Sequence, residues 1–259
     1  MDIVLRQRLL FFASFLLVIF FSNRAHSSTF DKIKEFLQVP EKLTKKTSWR
    51  GCPSQTAGKM VISLVKEFDD KGSLYYLNKK IVEEGLQKKY FVHHYDIKFD
   101  PIRNELSFRL ECPKALVRVS AIGEKGTVVS SSILTDSGDL YDPTYELLLK
   151  SEKILKSDLP NLAIPYEILN KSYKDKLTDF FLSLNNQTRN LISEIILDQK
   201  GKMTLILSNK RRPTSVFFGV GNWSEKRMKL SKMIDYLIDR KGLPKTINLT
   251  NTKKVVVKF

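Results

Sequence analysis

The apolar positions of this chain change their spacing several times, and each change marks an element. Met60, Ile62, Leu64, Val65 and Phe68 predict a first helix; Ile81, Val82, Gly85 and Leu86 predict the inner stripe of a second, with Asn78 as its cap. The period then becomes two. Tyr95, Ile97 and Phe99 alternate with Asp96 and Lys98, the segment Asp100–Asn104 reads as a turn around Pro101, and Leu106, Phe108 and Leu110 alternate on the return strand. Ala115, Val117 and Val119 continue after Pro113. Farther on, Leu134–Tyr141 reads as strand, turn, strand, and Tyr166–Leu184 as helical. Ile195–Leu197 and Met203–Leu207 flank Gln199-Lys200-Gly201 as a hairpin, and Val216–Phe218 follows a turn at Arg212-Pro213. Ser224 is the expected cap of a long helix, with Trp223 stapled on Met228 and Leu230, Met233, Ile234 and Leu237 on its buried stripe. Gly242 and Pro244 end it, and the strands Thr246–Leu249 and Lys254–Phe259 complete an antiparallel meander. The pattern predicts an α+β fold. A small helix-on-sheet unit over residues 51–122 precedes a mostly antiparallel β domain over 126–259, with helices on one side.

One run does not fit a globular pattern. Leu9–Phe21 is apolar and uncharged, and Arg6 and Arg8 precede it. Its length matches a signal peptide, with Ala25-His26-Ser27 as a small-residue exit, and falls short of the roughly 20 residues of a typical membrane span. Both readings, cleaved signal and retained anchor, leave residues 1–8 as a cytoplasmic tail and carry the rest across the membrane. Residues 22–50, polar and rich in lysine, read as a linker. Export changes the meaning of the two cysteines. In an oxidising compartment Cys52 and Cys112 suggest one intramolecular disulfide, the alternative being two separate buried thiols. Export also argues against a nucleic-acid partner.

Composition adds one further constraint. With 42% apolar and 28% charged residues over 259 positions, the chain is neither disordered nor fibrous. Its net charge is +16, and residues 200–259 carry 15 Lys and Arg against 3 Asp and Glu, a local excess of +12. Such a region attracts acidic protein or anionic lipid, and a solvated basic surface is the plainer reading. Catalytic material is sparse. The three histidines (His26, His93, His94) belong to no metal-ligand motif, and there is no G-x-S-x-G or P-loop. Asp136, Asp139 and Asp142 around Gly138 read as an Asp/Gly turn, since they lack the full ligand pattern of a calcium loop. The expectation is a non-enzymatic protein with no metal, no cofactor and no small-molecule substrate.

Several short stretches resemble, in the same order, those of the FtsQ/DivIB family of bacterial division proteins. They are Gly72-Ser73-Leu74-Tyr75-Tyr76-Leu77, the line Asn104–Ala115 with Glu111-Cys112-Pro113 near its end, Leu134–Tyr141 and Leu159-Pro160-Asn161-Leu162. Phe218-Gly219 followed by Lys226-Arg227-Met228, and Ile247-Asn248-Leu249, complete the series. Where the family has Asp-Leu-Arg-Tyr, this chain has Asn248-Leu249-Thr250-Asn251. The resemblance covers about residues 50–259. It implies a POTRA-like βααββ domain over 51–122, an FtsQ-type β domain over 126–259, and an N-terminal membrane segment. It also implies a cell division scaffold without catalytic activity at the periplasmic face of the cytoplasmic membrane, binding partners that resemble FtsB and FtsL. The alternative from the residues alone is a secreted basic envelope module that binds anionic glycan or lipid.

The candidate partner-binding residues follow from the last strand. Val255, Val257 and Phe259 alternate with Lys254, Val256 and Lys258, as a strand with one buried face should. Last in the meander, it is a candidate edge for strand addition by a partner, through Thr250, Asn251, Lys253, Lys254, Val255, Val256, Val257 and Lys258. Lys200 and Lys202 are candidate neighbours. An idle edge whose lysines discourage aggregation is the competing reading.

Overall fold

The computed structural model describes residues 43–208, 212–240, 242–251 and 253–259. The segments assigned to tail, apolar run and most of the linker, residues 1–42, lie outside the described residues. The described chain is α+β, with seven helices and two sheets of three and nine strands. It divides into two compact units. The described residues 43–48 with Asp96–Arg109 form the smaller, and Trp49–Tyr95 with Leu110–Phe259 form the larger.

The smaller unit is built from β1 (Thr44–Arg50), β2 (His94–Asp100) and β3 (Glu105–Glu111), ordered β1-β3-β2, with the strand ends running into the larger unit. The β2–β3 turn falls where Pro101 predicts it: Asp100 Oδ1 accepts from the N–H of Ile102 and Arg103 at 2.9 and 3.2 Å, and Asn104 takes a left-handed φ of 48°. Thr44 N–H donates to Asn104 O at 2.9 Å, Lys46 pairs with Glu105 at 3.0 Å, and Ser48 Oγ reaches Phe108 O at 3.5 Å. The contacts advance in the same direction on both strands, so β1 runs parallel to β3. The sequence reading assigns 44–50 to a linker, and the structure makes it a strand. Every residue of β1 is exposed, so it shows no alternation by which the sequence could reveal it.

The larger unit starts with α1 (Ser54–Lys71), α2 (Leu74–Glu83) and the single turn α3 (Leu86–Lys89). Met60, Leu64, Val65 and Phe68 are buried on α1 as predicted, whereas Ile62 is exposed. The cap of α2 is Ser73, whose side chain accepts from Tyr75 N–H, and Asn78 lies inside the helix. Lys80 ties α2 to Glu67 of α1 at 2.9 Å. Cys52 and Cys112 form a disulfide across 60 positions. In the chain-entropy account a loop of that size stabilises by about 4 kcal/mol.

The nine-stranded sheet is ordered β12-β11-β10-β9-β8-β7-β4-β5-β6. Its strands are β4 (Ala115–Ile122), β5 (Val128–Thr135), β6 (Leu140–Tyr141), β7 (Asn161–Pro165), β8 (Ile192–Leu197), β9 (Met203–Leu207), β10 (Thr214–Gly219), β11 (Thr246–Asn248) and β12 (Val256–Lys258). Between them run α4 (Thr144–Ser151), α5 (Lys171–Leu182), α6 (Asn186–Leu191) and α7 (Trp223–Arg240). The predicted boundary at 122 is moved by β4, which pairs with β5 and β7 rather than closing the small sheet. Alternation identifies a strand but says nothing about its partner.

The predicted closing meander is also altered, because β10 and β11 are parallel. Parallel neighbours need a crossover, and α7 supplies it; β4–β7 and β7–β8 are parallel for the same reason, bridged by α4 and by α5 with α6. The other neighbouring pairs are antiparallel. The main core joins Leu162, Ile195, Leu205, Val216 and Phe218 of the sheet to Phe180 and Phe181 of α5 and Leu230 and Ile234 of α7. Ile133 enters a second cluster with Tyr145 and Leu149 of α4, while its neighbour Leu134 enters the main one. Consecutive strand residues face opposite ways, so both faces of the sheet are covered.

Candidate functional site: an open sheet edge and its surroundings

Every residue of the predicted partner-binding set lies on or just before β12, the outermost strand of the sheet. Its approach is fixed locally. Leu249 is fully buried, and its N–H donates to Phe217 O at 2.8 Å. Asn248 Oδ1 accepts from the N–H and hydroxyl of Thr250 at 2.9 and 2.7 Å, and Asn251 Oδ1 accepts from Lys253 N–H at 2.8 Å. Two successive side-chain turns thus reverse the chain between β11 and β12. Asn248 and Asn251 therefore have a structural use here. Gly219, with a left-handed φ of 67°, leaves room for Thr250, whose methyl would lie 3.2 Å from any added Cβ.

Register pairs Ile247 with Val257 and Asn248 with Val256, antiparallel. Val257 is half-buried, whereas Val256 is 62% exposed. The expected buried face does not extend beyond Val257: Val255 and Phe259 are exposed, and regular pairing is confined to Val256–Lys258. A strand of three residues has only one central position to press on the sheet. Thr250, Asn251, Lys253, Lys254 and Lys258 are exposed. Lys200 and Lys202 stand at the same end of the sheet, because Met203 pairs with Gly219 in the register that places Phe217 opposite Asn248. They are three strands away from β12, about 14 Å.

The β10–α7 connection behind this edge holds a feature that sequence reasoning missed. Lys226 is buried, and its Nζ donates to the carbonyls of Phe218, Val220 and Gly221 at 2.8, 3.1 and 3.0 Å. Burial pushes its pKa down, with Glu225 opposing the shift. The ammonium fixes the loop that leads into α7. The helix starts one residue before the predicted Ser224 cap: Lys226 N–H donates to Asn222 O, and Trp223 packs near Phe180 and Tyr173 rather than serving as an N-terminal staple outside the helix. No local sequence pattern marks this clamp, because it depends on which carbonyls the fold brings to the ammonium.

The remaining polar candidates have local roles. Asp136 Oδ1 accepts from Lys114 N–H and Asp142 Oδ1 from Thr144 N–H, both at 2.8 Å, while Asp139 accepts from Ser137. These carboxylates hold the β5–β6 turn and the start of α4. Among the described residues no group of three or more His, Cys, Asp or Glu stands close enough to hold a metal ion. No protein-family model and no curated protein matches this chain.

Proposed function

We propose that this protein is a non-enzymatic scaffold of the bacterial cell envelope that captures partner proteins by adding their strands to β12, as the resemblance to the FtsQ/DivIB division proteins implies. The observation that carries this reading is an edge strand with exposed valines among lysines, held at the rim of a nine-stranded sheet. Such a strand presents unpaired N–H and C=O groups to a partner, and its lysines favour acidic ones. The order strand, helices, strand, strand ahead of the large sheet agrees with the POTRA-like unit that the resemblance implies. The proposed partners resemble FtsB and FtsL, at the periplasmic face of the cytoplasmic membrane.

Two proline variants test the edge. Successive N–H groups of a strand point to opposite sides, so of Val256→Pro and Val257→Pro one removes a bond to β11 and the other removes an outward donor. The first lowers stability by about 1 kcal/mol or more. The second leaves stability near the parent's yet loses capture of FtsB- and FtsL-like fragments in a pull-down. Undiminished capture by both folded variants excludes β12 as the binding edge.

A further inference from the structure

We propose that the groove between α5 and the start of α7 is a second docking site, independent of β12, for an acidic segment of a partner protein that inserts an apolar side chain. The groove has a volume of about 780 Å³. It is lined by Tyr173 and Phe180 of α5, by Trp223, which packs beside both rings, by Arg227 of α7, and by the Val220–Asn222 loop. Three observations describe its occupant.

The first is apolar exposure in a concave place. Leu182 and Val220 line the groove yet are 48% and 58% exposed, and Met228, four residues after the lining Ser224 and so on the same helix face, is 52% exposed. Clustered exposure of this kind marks an interaction surface, unlike single surface residues. The second is an excess of donors. Trp223 Nε1 and Arg227 Nη1 are both buried without an acceptor. Each can only donate and belongs to a residue that lines the groove, so acceptor oxygens are the groups that would match them.

The third is charge. Arg227 and Lys176 line the groove against one carboxylate, Asp179. Carboxylates of an incoming segment complement that field, and a basic segment does not. A walled concavity fits a side chain better than it fits the flat face of a bilayer. The Val220–Asn222 loop is already held, because Lys226 clamps the carbonyls of Phe218, Val220 and Gly221. Binding therefore costs little loop ordering. Gly201 also lines the groove, and a Cβ there would displace the Tyr173 hydroxyl.

The test uses full-length protein in detergent carrying Trp49→Phe, which leaves Trp223 as the only tryptophan. The probes are a synthetic peptide of glutamates with leucines at helical spacing, the same peptide with lysines for glutamates, and phosphatidylglycerol vesicles. The acidic peptide is expected to change Trp223 emission saturably, at least about tenfold more tightly than the lysine peptide, and to weaken with salt. Val220→Asp, at an exposed position that tolerates the change, and Arg227→Gln, checked by circular dichroism, should each weaken it about tenfold. Val256→Pro should leave it unchanged, so loss of this site and loss of the β12 reading are separable. No response, equal response to both peptides, or indifference to Val220→Asp overturns the proposal. An equal and equally Val220-dependent response to vesicles also overturns it, in favour of a lipid-facing surface.

Discussion

The two ends of the nine-stranded sheet solve the edge problem in opposite ways. At one end β6 is two residues long, pairs with Ile133 and Leu134 of β5, and sits beside packed side chains. Tyr141 packs in a ring cluster with Phe91 and Tyr145, whose centroids lie 4.8–5.8 Å apart. Tyr145 is fully buried, and its hydroxyl donates to Pro113 O at 2.5 Å; burial pushes its pKa up. Beside it Arg118 forks onto Glu146 at 2.8 and 3.0 Å, and Lys150 bridges Glu146 and Asp158. Glu152 reaches from the end of α4 to the start of α1, accepting from Ser54 Oγ at 2.9 Å and from Gln55 N–H at 3.1 Å. At the other end β12 has exposed valines and lysines. An edge surrounded by rings and ion pairs serves stability, and an edge left open is available for pairing.

The comparison can be broken hardest at the closed end. Tyr145→Ala removes a fully buried ring, a hydrogen bond and two ring contacts, and is expected to destabilise by about 3–5 kcal/mol in urea unfolding. A loss below about 1 kcal/mol would mean that the ring cluster does not anchor this end.

A smaller effect, with a sign, comes from the ion network. Burial pushes the Glu146 pKa up, but hydrogen bonds from Arg118 and Lys150 outweigh it and hold the carboxyl below its ordinary value of 4.5. A group whose folded pKa is depressed contributes stability above its unfolded value, and that contribution fades as pH falls through the folded one. Arg118→Ala should therefore cost about 1.5 kcal/mol at pH 7, the low end for hydrogen bonds to a charged group because the guanidinium is 35% exposed. The deficit against the parent should narrow as pH drops below 4.5. A deficit that stays constant with pH would remove the electrostatic account of this pair.

The closed end also shows what could be read in the chain. The hairpin Ile195–Leu207 and the turn at Asp100–Asn104 were legible because alternation and turn chemistry are local. The Arg118–Glu146 fork joins residues 28 apart, and the Glu152 cap joins residues 98 apart. No local pattern encodes such pairs. The parallel placement of β11 was hidden for a related reason: α7 was visible as a helix, but its role as a crossover appears only when β10 and β11 are seen side by side. At the open end, the sheet order places β12 at the edge, where the sequence reading expected it. The Lys226 clamp and the unmatched donors of Trp223 and Arg227 were not visible, because each depends on which carbonyls and walls the fold brings near.

The smallest structural effect is expected at the open end itself. Lys253, Lys254 and Lys258 are exposed, so their joint reversal to Glu should change stability by no more than about 0.5 kcal/mol per site. Their proposed work is long-range. Three reversals alter the local charge by six units, enough to turn attraction for an acidic strand into repulsion before contact. Backbone pairing would still hold the complex once formed, since ladder bonds do not depend on these side chains. The association rate for an acidic partner fragment should thus fall by about tenfold or more at low salt, with a much smaller change in dissociation rate. Added salt should bring the parent and variant rates together, because screening shortens the reach of both fields. Stopped-flow association at two ionic strengths measures this directly. Equal rates for both proteins at low salt would leave β12 an edge whose lysines act only against aggregation, and would move the basic excess of residues 200–259 out of the binding account.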